Sequence, residues 1–119
     1  MRQTFTLASD DLSVRIAALG AELLSITDGT GAEWMTDGDP AFWSGRAPLL
    51  FPIVGRLNDD SLRVNGNTYA MQKHGFARKS LFSLVEKSAS DALFRLVDNE
   101  ATQAQYPFAF ELEAHFSLT

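Results

Sequence analysis

The chain has 119 residues, of which 45% are hydrophobic and 21% are charged, and this is the composition of one folded domain. Its net charge of −5 disfavours nucleic acid as a partner, because phosphate binding depends on a basic surface. Without cysteine there is no disulfide or thiolate, and two histidines without a nearby acidic cluster disfavour a metal site, so we expect neither a metal nor a cofactor.

Two features of the sequence indicate where in the cell the protein is found. No apolar run approaches the roughly 20 residues that a membrane-spanning helix needs. The start Met1-Arg2-Gln3-Thr4-Phe5 also lacks the apolar segment of a secretory signal. We therefore expect no membrane association and a cytoplasmic location.

Apolar and polar residues alternate along most of the chain, which predicts strands rather than helices. Residues 4–8 form a short first strand. The second strand covers residues 12–18, and its apolar face holds every other side chain: Leu12, Val14, Ile16 and Ala18. Ser13, Arg15 and Ala17 are expected on the opposite face, and Gly20 ends the strand.

The middle of the chain predicts two antiparallel pairs. Asn65-Gly66 lies within residues 62–69, and Asn-Gly is a preferred centre of a two-residue hairpin turn because both positions tolerate positive φ. We therefore expect a hairpin there. Residues 81–86 and 92–97 are two further apolar runs joined by a polar segment, and they predict a second pair.

The segment 108–118 shows the clearest alternation. One face carries the apolar side chains Phe108, Phe110, Leu112, Ala114, Phe116 and Leu118, and the other carries Ala109, Glu111, Glu113, His115 and Ser117. Only residues 39–44 and 99–105 have the start signals of a helix, and each would form one or two turns. The chain is therefore predicted to be all-β, with antiparallel strands.

Two short segments carry the functional signal: residues 51–57, Phe-Pro-Ile-Val-Gly-Arg-Leu, and residues 74–78, His-Gly-Phe-Ala-Arg. They place Arg56, His74 and Arg78 on either side of the predicted hairpin, among apolar and aromatic residues. Guanidinium and imidazole groups form hydrogen bonds with hydroxyl groups. The combination suits a neutral polyhydroxylated ligand, and we interpret the two segments as part of a sugar site.

Several segments along the chain together match one known family: Gly20-Ala21-Glu22-Leu23, residues 47–57, Asn65-Gly66 with Tyr69, residues 74–78, and Tyr106-Pro107-Phe108. In them the chain resembles the aldose 1-epimerases, also called galactose mutarotases, and especially a bacterial branch with a Phe-Pro-x-x-Gly-Arg signature. The combined spacing of the segments is specific, whereas an isolated Asn-Gly or Gly-Arg pair carries no information.

The resemblance implies an antiparallel β-sandwich of the galactose mutarotase-like type. Residues 1–119 would form a single domain, the N-terminal part of a larger sandwich. In the family an arginine after Pro-x-x-Gly and a histidine that begins His-Gly face the sugar, and these match Arg56 and His74. The implied ligand is an aldose such as a hexose. We add Arg78 and Phe76 as candidate substrate-binding residues, although Arg78 also fits a solvated charge and Phe76 a core residue.

The reaction that the resemblance implies is the interconversion of α and β anomers. Ring opening takes a proton from the anomeric hydroxyl and delivers one to the ring oxygen, so an acid and a base must act together. We identify no catalytic residue in this chain. The family's acid, a histidine in an Asn-His-x-Tyr-Phe-like context, has no counterpart, and the acidic sugar ligand and the glutamate base are expected beyond Thr119.

Three functions therefore stay open. The leading one is an isomerase of the aldose 1-epimerase type, truncated here before its acid and base. The second is a non-catalytic or vestigial sugar-recognition protein that keeps Arg56 and His74. The third, within the same fold, is an epimerase of phosphorylated sugars, which would need more cationic groups than the sequence locates.

Other conspicuous residues have structural interpretations. We expect Trp34 and Trp43 in the core, His115 on the polar face of the last strand without a catalytic role, and Asp59-Asp60 in a turn. The last strand would leave an apolar face and an unpaired edge. Because such edges recruit partners, we expect self-association through this C-terminal edge strand.

Overall fold

The computed structural model describes residues 3–35 and 46–119. Within them the strands are β1 (Thr4–Ala8), β2 (Leu12–Ala17), β3 (Glu22–Asp28), β4 (Ser61–Val64), β5 (Asn67–Ala70), β6 (Ser83–Lys87), β7 (Asp91–Val97) and β8 (Glu111–Ser117). These residues also form one short helix, α1 (Glu100–Gln103), and the 3₁₀ turns Asn58–Asp60 and Ala77–Lys79.

The strands form three antiparallel sheets, in the orders β1-β2-β3, β4-β5 and β6-β7-β8. The prediction of an all-β, antiparallel fold is therefore confirmed. The predicted strands at residues 4–8, 81–86, 92–97 and 108–118 correspond to β1, β6, β7 and β8. Strand β3 has no counterpart in the prediction.

The β4–β5 hairpin turns at Asn65-Gly66, as predicted. The φ angles of these two residues are 49° and 82°, both in the left-handed region that this type of turn requires. Val64 pairs with Asn67 across the turn, which leaves a two-residue loop. This local signal therefore predicted both the turn and the register of the hairpin.

Strand β2 departs from the predicted alternation. Arg15 pairs with Ser25 and Ile16 with Leu23, so the register shifts there and the extra residue of the β-bulge is Leu24 of β3. After the bulge Ile16 and Ala17 are both fully buried, whereas Leu12 at the start of the strand is 37% exposed. The prediction that Ala17 lies on an exposed polar face is wrong, because a later segment of the chain packs against this end of β2, where the amide of Phe82 donates to the carbonyl of Ala18 at 3.0 Å.

The core lies between the first and third sheets. Its buried side chains from these sheets are Leu7, Val14, Ile16, Ala92, Phe94 and Leu96. The rings of Phe5 and Phe94 meet edge to face across the two sheets, with their centroids 5.8 Å apart. Phe51 and Phe76 pack into the same cluster. The two functional segments are therefore anchored on this core.

Helix α1 confirms the helical turn predicted within residues 99–105. Asn99 Oδ1 accepts a hydrogen bond from the amide of Thr102 at 2.9 Å, and Thr102 Oγ1 accepts one from the amide of Asn99 at 2.9 Å. This reciprocal capping satisfies two backbone donors at the helix start. The other predicted helix, at residues 39–44, lies outside the described residues. No helix among those described is long and apolar enough to cross a membrane.

The prediction that both tryptophans lie in the core can be compared with the structure only for Trp34. Trp34 is 70% exposed, so the prediction that it lies in the core is wrong. Its indole N–H donates to Asp28 Oδ2 at 2.9 Å, which holds the ring over a surface turn. Trp43 lies outside the described residues.

Candidate functional site

The two functional segments are joined by backbone hydrogen bonds. The carbonyl oxygen of Phe51 accepts from the amides of Phe76 at 2.9 Å and Ala77 at 3.1 Å. The amide of His74 donates to the carbonyl of Gly55 at 2.8 Å. The segment around residues 51–55 is therefore fixed against the segment around residues 74–77 from end to end.

Gly75 makes this close approach possible. A Cβ at this position would lie 2.2 Å from the carbonyl oxygen of Phe51 and 2.7 Å from Cδ of Pro52. Its φ of 72° is also in the left-handed region, which side-chain-bearing residues adopt at a cost. The glycine of His-Gly is thus required by the contact between the segments and not by the turn alone.

His74 is oriented by the backbone of the other segment. The amide of Gly55 donates to Nδ1 of His74 at 2.8 Å. A backbone N–H can only donate, so Nδ1 is an acceptor and the neutral ring carries its proton on Nε2. Partial burial, followed by the positive charges of Lys73 and Arg78, lowers the pKa of His74 below its usual value. The imidazole is therefore held neutral, with Nε2–H left for a ligand.

An open pocket of about 330 Å³ lies beside His74, lined by Pro48, Leu50, Lys73, His74 and Arg78. Arg78 Nη2 donates to the carbonyl of Lys73 at 3.3 Å. Its Nε is buried and has no hydrogen-bond partner. The structure thus brings together His74 and Arg78, two of the predicted site residues. It adds Lys73, which no sequence pattern indicates because an isolated lysine is not part of any motif.

Arg56 lies next to Gly55 in the chain but does not line this pocket. Its Nε is 3.1 Å from Asp60 Oδ1, and the two side chains are 66% and 50% exposed. The predicted turn at Asp59-Asp60 is the 3₁₀ turn Asn58–Asp60. The turn thus places Asp60 within ion-pair distance of Arg56.

Phe76 and His115 occupy the positions that their structural interpretations predicted. Phe76 is 3% exposed, and its ring centroid lies 6.1 Å from that of Phe51. A ligand therefore has no access to its ring face. His115 is on the exposed face of β8, where its Nε2 is 3.3 Å from Asp91 Oδ1.

Comparison with known proteins relates the chain to one family. The family model of aldose 1-epimerase matches residues 3–119. Protein LacX of Lactococcus lactis subsp. lactis, in its plasmid form, is 34% identical over 120 residues, which cover 97% of this chain and 40% of that protein. The chromosomal form matches to the same extent.

Solved structures extend the match to the fold. A galactose mutarotase related enzyme from Lactobacillus acidophilus is 37% identical, with a TM-score of 0.96 over 98% of this chain and 39% of its own. A galactose mutarotase-like protein from Lactobacillus casei is 36% identical, with a TM-score of 0.95 over 98% and 40%.

The chain spans about 40% of the length of these relatives. Its antiparallel sheets are therefore part of a galactose mutarotase-like β-sandwich. Because the family model covers nearly the whole chain and the solved relatives have the same fold throughout the matched part, the chain belongs to the aldose 1-epimerase family.

Proposed function

We propose that this chain supplies one part of the sugar site of an aldose 1-epimerase, which interconverts the α and β anomers of an aldose. The observation that carries the proposal is the hydrogen bond from the amide of Gly55 to Nδ1 of His74. It leaves Nε2–H of a neutral ring as a donor for a sugar oxygen. Pro48 and Leu50 give the same pocket an apolar wall against which sugar C–H groups can pack.

The segment Phe-Pro-Ile-Val-Gly-Arg contributes the second proposed sugar contact, Arg56. Its ion pair with Asp60 is between exposed side chains and is therefore weak, so a sugar hydroxyl can compete for the guanidinium. Phe76 supports the site by packing beneath it. We also propose that this segment marks a bacterial branch of the family. Relatives from Lactococcus and Lactobacillus support that proposal.

The acid and the base of the reaction are proposed to lie outside this chain. None of the side chains that line the pocket is a carboxylate, and an arginine does not release its proton near neutral pH. A sugar-binding protein without catalysis is therefore the second candidate. The gene sequence beyond the codon for Thr119 separates the two. A further histidine, aspartate and glutamate in frame would favour the isomerase, and a stop codon would favour the binding protein.

Titration with galactose and glucose, followed by NMR, tests the sugar site. We expect both sugars to bind, and we expect His74→Ala to weaken binding about tenfold because it removes one ligand hydrogen bond. Arg63→Ala changes an exposed arginine of β4 away from the pocket and is the matched control. Absence of binding to the unaltered chain, or binding that His74→Ala leaves intact, contradicts the proposal.

Saturation-transfer NMR on the same samples tests where the acid and base lie. We expect this chain to leave the rate of mutarotation unchanged. An acceleration that disappears in the Arg56→Ala, His74→Ala double variant would show instead that the chain contains its own acid and base.

We propose in addition that two copies associate through β8, which is an edge strand among the described residues. Its apolar face, including Leu118 just past the strand, is only half-buried. An unpaired edge with such a face favours strand pairing. We expect light scattering to show a mass above that of the monomer at micromolar concentration, and Leu118→Lys to reduce it. The same change at Val54, which is 77% exposed, is the control. A monomer throughout this range contradicts the proposal.

A further inference from the structure

The segment Gly20-Ala21-Glu22-Leu23 contributes to the family resemblance but contains none of the proposed sugar contacts. It runs from the turn between β2 and β3 into β3. Gly20 and Ala21 have φ angles of 73° and 47°, both in the left-handed region, and Ala21 is fully buried. A residue other than glycine is uncommon in this region and persists only where its surroundings fix it. The turn is therefore held by its contacts, and these contacts reach both sides of the pocket beside His74.

One side of the turn packs against the backbone of Arg78, which lines the pocket. The amide of Gly20 donates to the carbonyl of Ser80 at 2.7 Å. A Cβ on Gly20 would lie 2.8 Å from the carbonyl oxygen of Arg78. Any side chain at Gly20 would therefore push this segment away. The turn thus fixes the backbone of residues 78–80, which belongs to the same side of the pocket as His74.

Glu22 holds the segment that leads into the other side of the pocket. Its Oε2 accepts hydrogen bonds from the amides of Arg46 at 2.7 Å and Ala47 at 3.1 Å. In return, Nη1 of Arg46 donates to the carbonyl of Leu24 at 2.9 Å. Hydrogen bonds that a carboxylate accepts from backbone amides are stronger than those between neutral groups. Strand β3 therefore fixes the backbone directly before Pro48, the first residue of this segment that lines the pocket.

The apolar wall formed by Pro48 and Leu50 lies between two anchors. Glu22 binds the backbone directly before the wall, and the carbonyl of Phe51, directly after it, accepts two amide hydrogen bonds. The three residues between these anchors make no backbone hydrogen bond with any other residue that the structure describes. Leu49, the middle one, packs against the core cluster. The wall is therefore positioned by its two ends and by one apolar contact.

The position of the wall before binding affects how tightly a sugar binds. A ligand that must order a loose segment loses the free energy of that ordering from its affinity, and a segment that is already in place avoids the loss. We propose that Glu22 is a positioning residue of the sugar site, which keeps the wall formed by Pro48 and Leu50 in place through the backbone of residues 46 and 47. Glu22 does not itself line the pocket. This proposal rests on the proposed function and adds a residue that supports its site.

NMR titration of the chain and its Glu22 variants with galactose and glucose tests the proposal. We expect Glu22→Ala to weaken binding of both sugars at least about threefold, because the wall is then ordered only when the sugar binds. Glu22→Gln keeps an oxygen that can accept from the same two amides, so its Kd should stay within about twofold of that of the unaltered chain. The imidazole nitrogen shifts of His74 should be the same in all three proteins, because the hydrogen bond from Gly55 lies beyond the second anchor.

Glu33→Ala is the matched control. The Oε2 of Glu33 also accepts from two backbone amides, those of Ile26 at 2.9 Å and Met35 at 3.1 Å. Neither Glu33 nor these two donors line the pocket. The two alanine variants therefore lose the same charge and the same kind of hydrogen bond. Sugar binding by Glu33→Ala should equal that of the unaltered chain.

Unchanged sugar binding by Glu22→Ala overturns the positioning role of Glu22 and leaves the proposed function standing. The same holds if Glu33→Ala weakens binding equally, if Glu22→Gln binds as weakly as Glu22→Ala, or if the His74 nitrogen shifts change. If Glu22→Ala does not fold, Glu22→Asp replaces it. This carboxylate keeps the charge but is too short to keep both hydrogen bonds, so we expect weaker binding, and unchanged binding overturns the proposal. Binding of neither sugar by the unaltered chain overturns the proposed function itself.

Discussion

Gly75→Ala is expected to destabilise the protein by about 3 kcal/mol or more, because the new methyl group collides with backbone that cannot move away. The Cβ would lie 2.2 Å from the carbonyl oxygen of Phe51, and that oxygen already accepts hydrogen bonds from two amides. Relief of the collision separates the two segments and breaks the hydrogen bond that orients His74. Equilibrium unfolding in urea, followed by circular dichroism, measures the loss.

Gly66→Ala is the control for this prediction. Its φ of 82° resembles the 72° of Gly75, but a Cβ there would meet nothing within 4 Å. The control variant is therefore expected to lose only the free energy that a left-handed backbone conformation costs an alanine, about 1–2 kcal/mol. The difference between the two variants isolates the contact with Phe51. If both lose the same stability, the two segments do not approach as closely as the structure shows.

The hairpin and the helix start could be predicted because their causes are local. Asn65-Gly66 supplies two adjacent residues that tolerate positive φ, and Asn99 with Thr102 supplies a capping pair within four residues. The buried position of Ala17 could not be predicted, because it depends on the distant segment around Phe82 packing against the end of β2. Strand β3 itself lacks a clean alternation, and its pairing with β2 is a tertiary effect.

The candidate site was predictable in its residues but not in its contacts. Spacing and resemblance selected Arg56, His74 and Arg78, and the structure places the last two at one pocket. The imidazole contacts the backbone amide of Gly55 rather than the guanidinium of Arg56, which turns to Asp60. No sequence pattern distinguishes a backbone donor from a side-chain donor. Lys73 also lines this pocket, beside His74 and Gly75, whose backbone adopts positive φ.

Phe94→Ala should be among the most damaging changes in the core, with an expected loss of about 3–5 kcal/mol. The side chain is fully buried on β7, and its ring contacts Phe5 of the first sheet at 5.8 Å and Phe116 of β8 at 6.0 Å between centroids. Truncation removes both contacts and leaves a cavity at the junction of the sheets. Denaturant unfolding measures the change.

A small domain is stable by only about 5–15 kcal/mol, so a loss of this size can unfold the Phe94→Ala variant completely. In that case Phe94→Leu is the variant to measure, with a smaller expected loss of about 1–2 kcal/mol. Phe108→Ala is the control, because Phe108 is 43% exposed and its ring contact is with Tyr106 outside the two-sheet interface. We expect it to cost less than either change at Phe94. Since Phe51 and Phe76 pack into the same cluster as Phe94, the pocket beside His74 rests on this core. Equal losses at Phe94 and Phe108 would mean that the two sheets do not share a packed interface, and the site would then lack the support that the structure gives it.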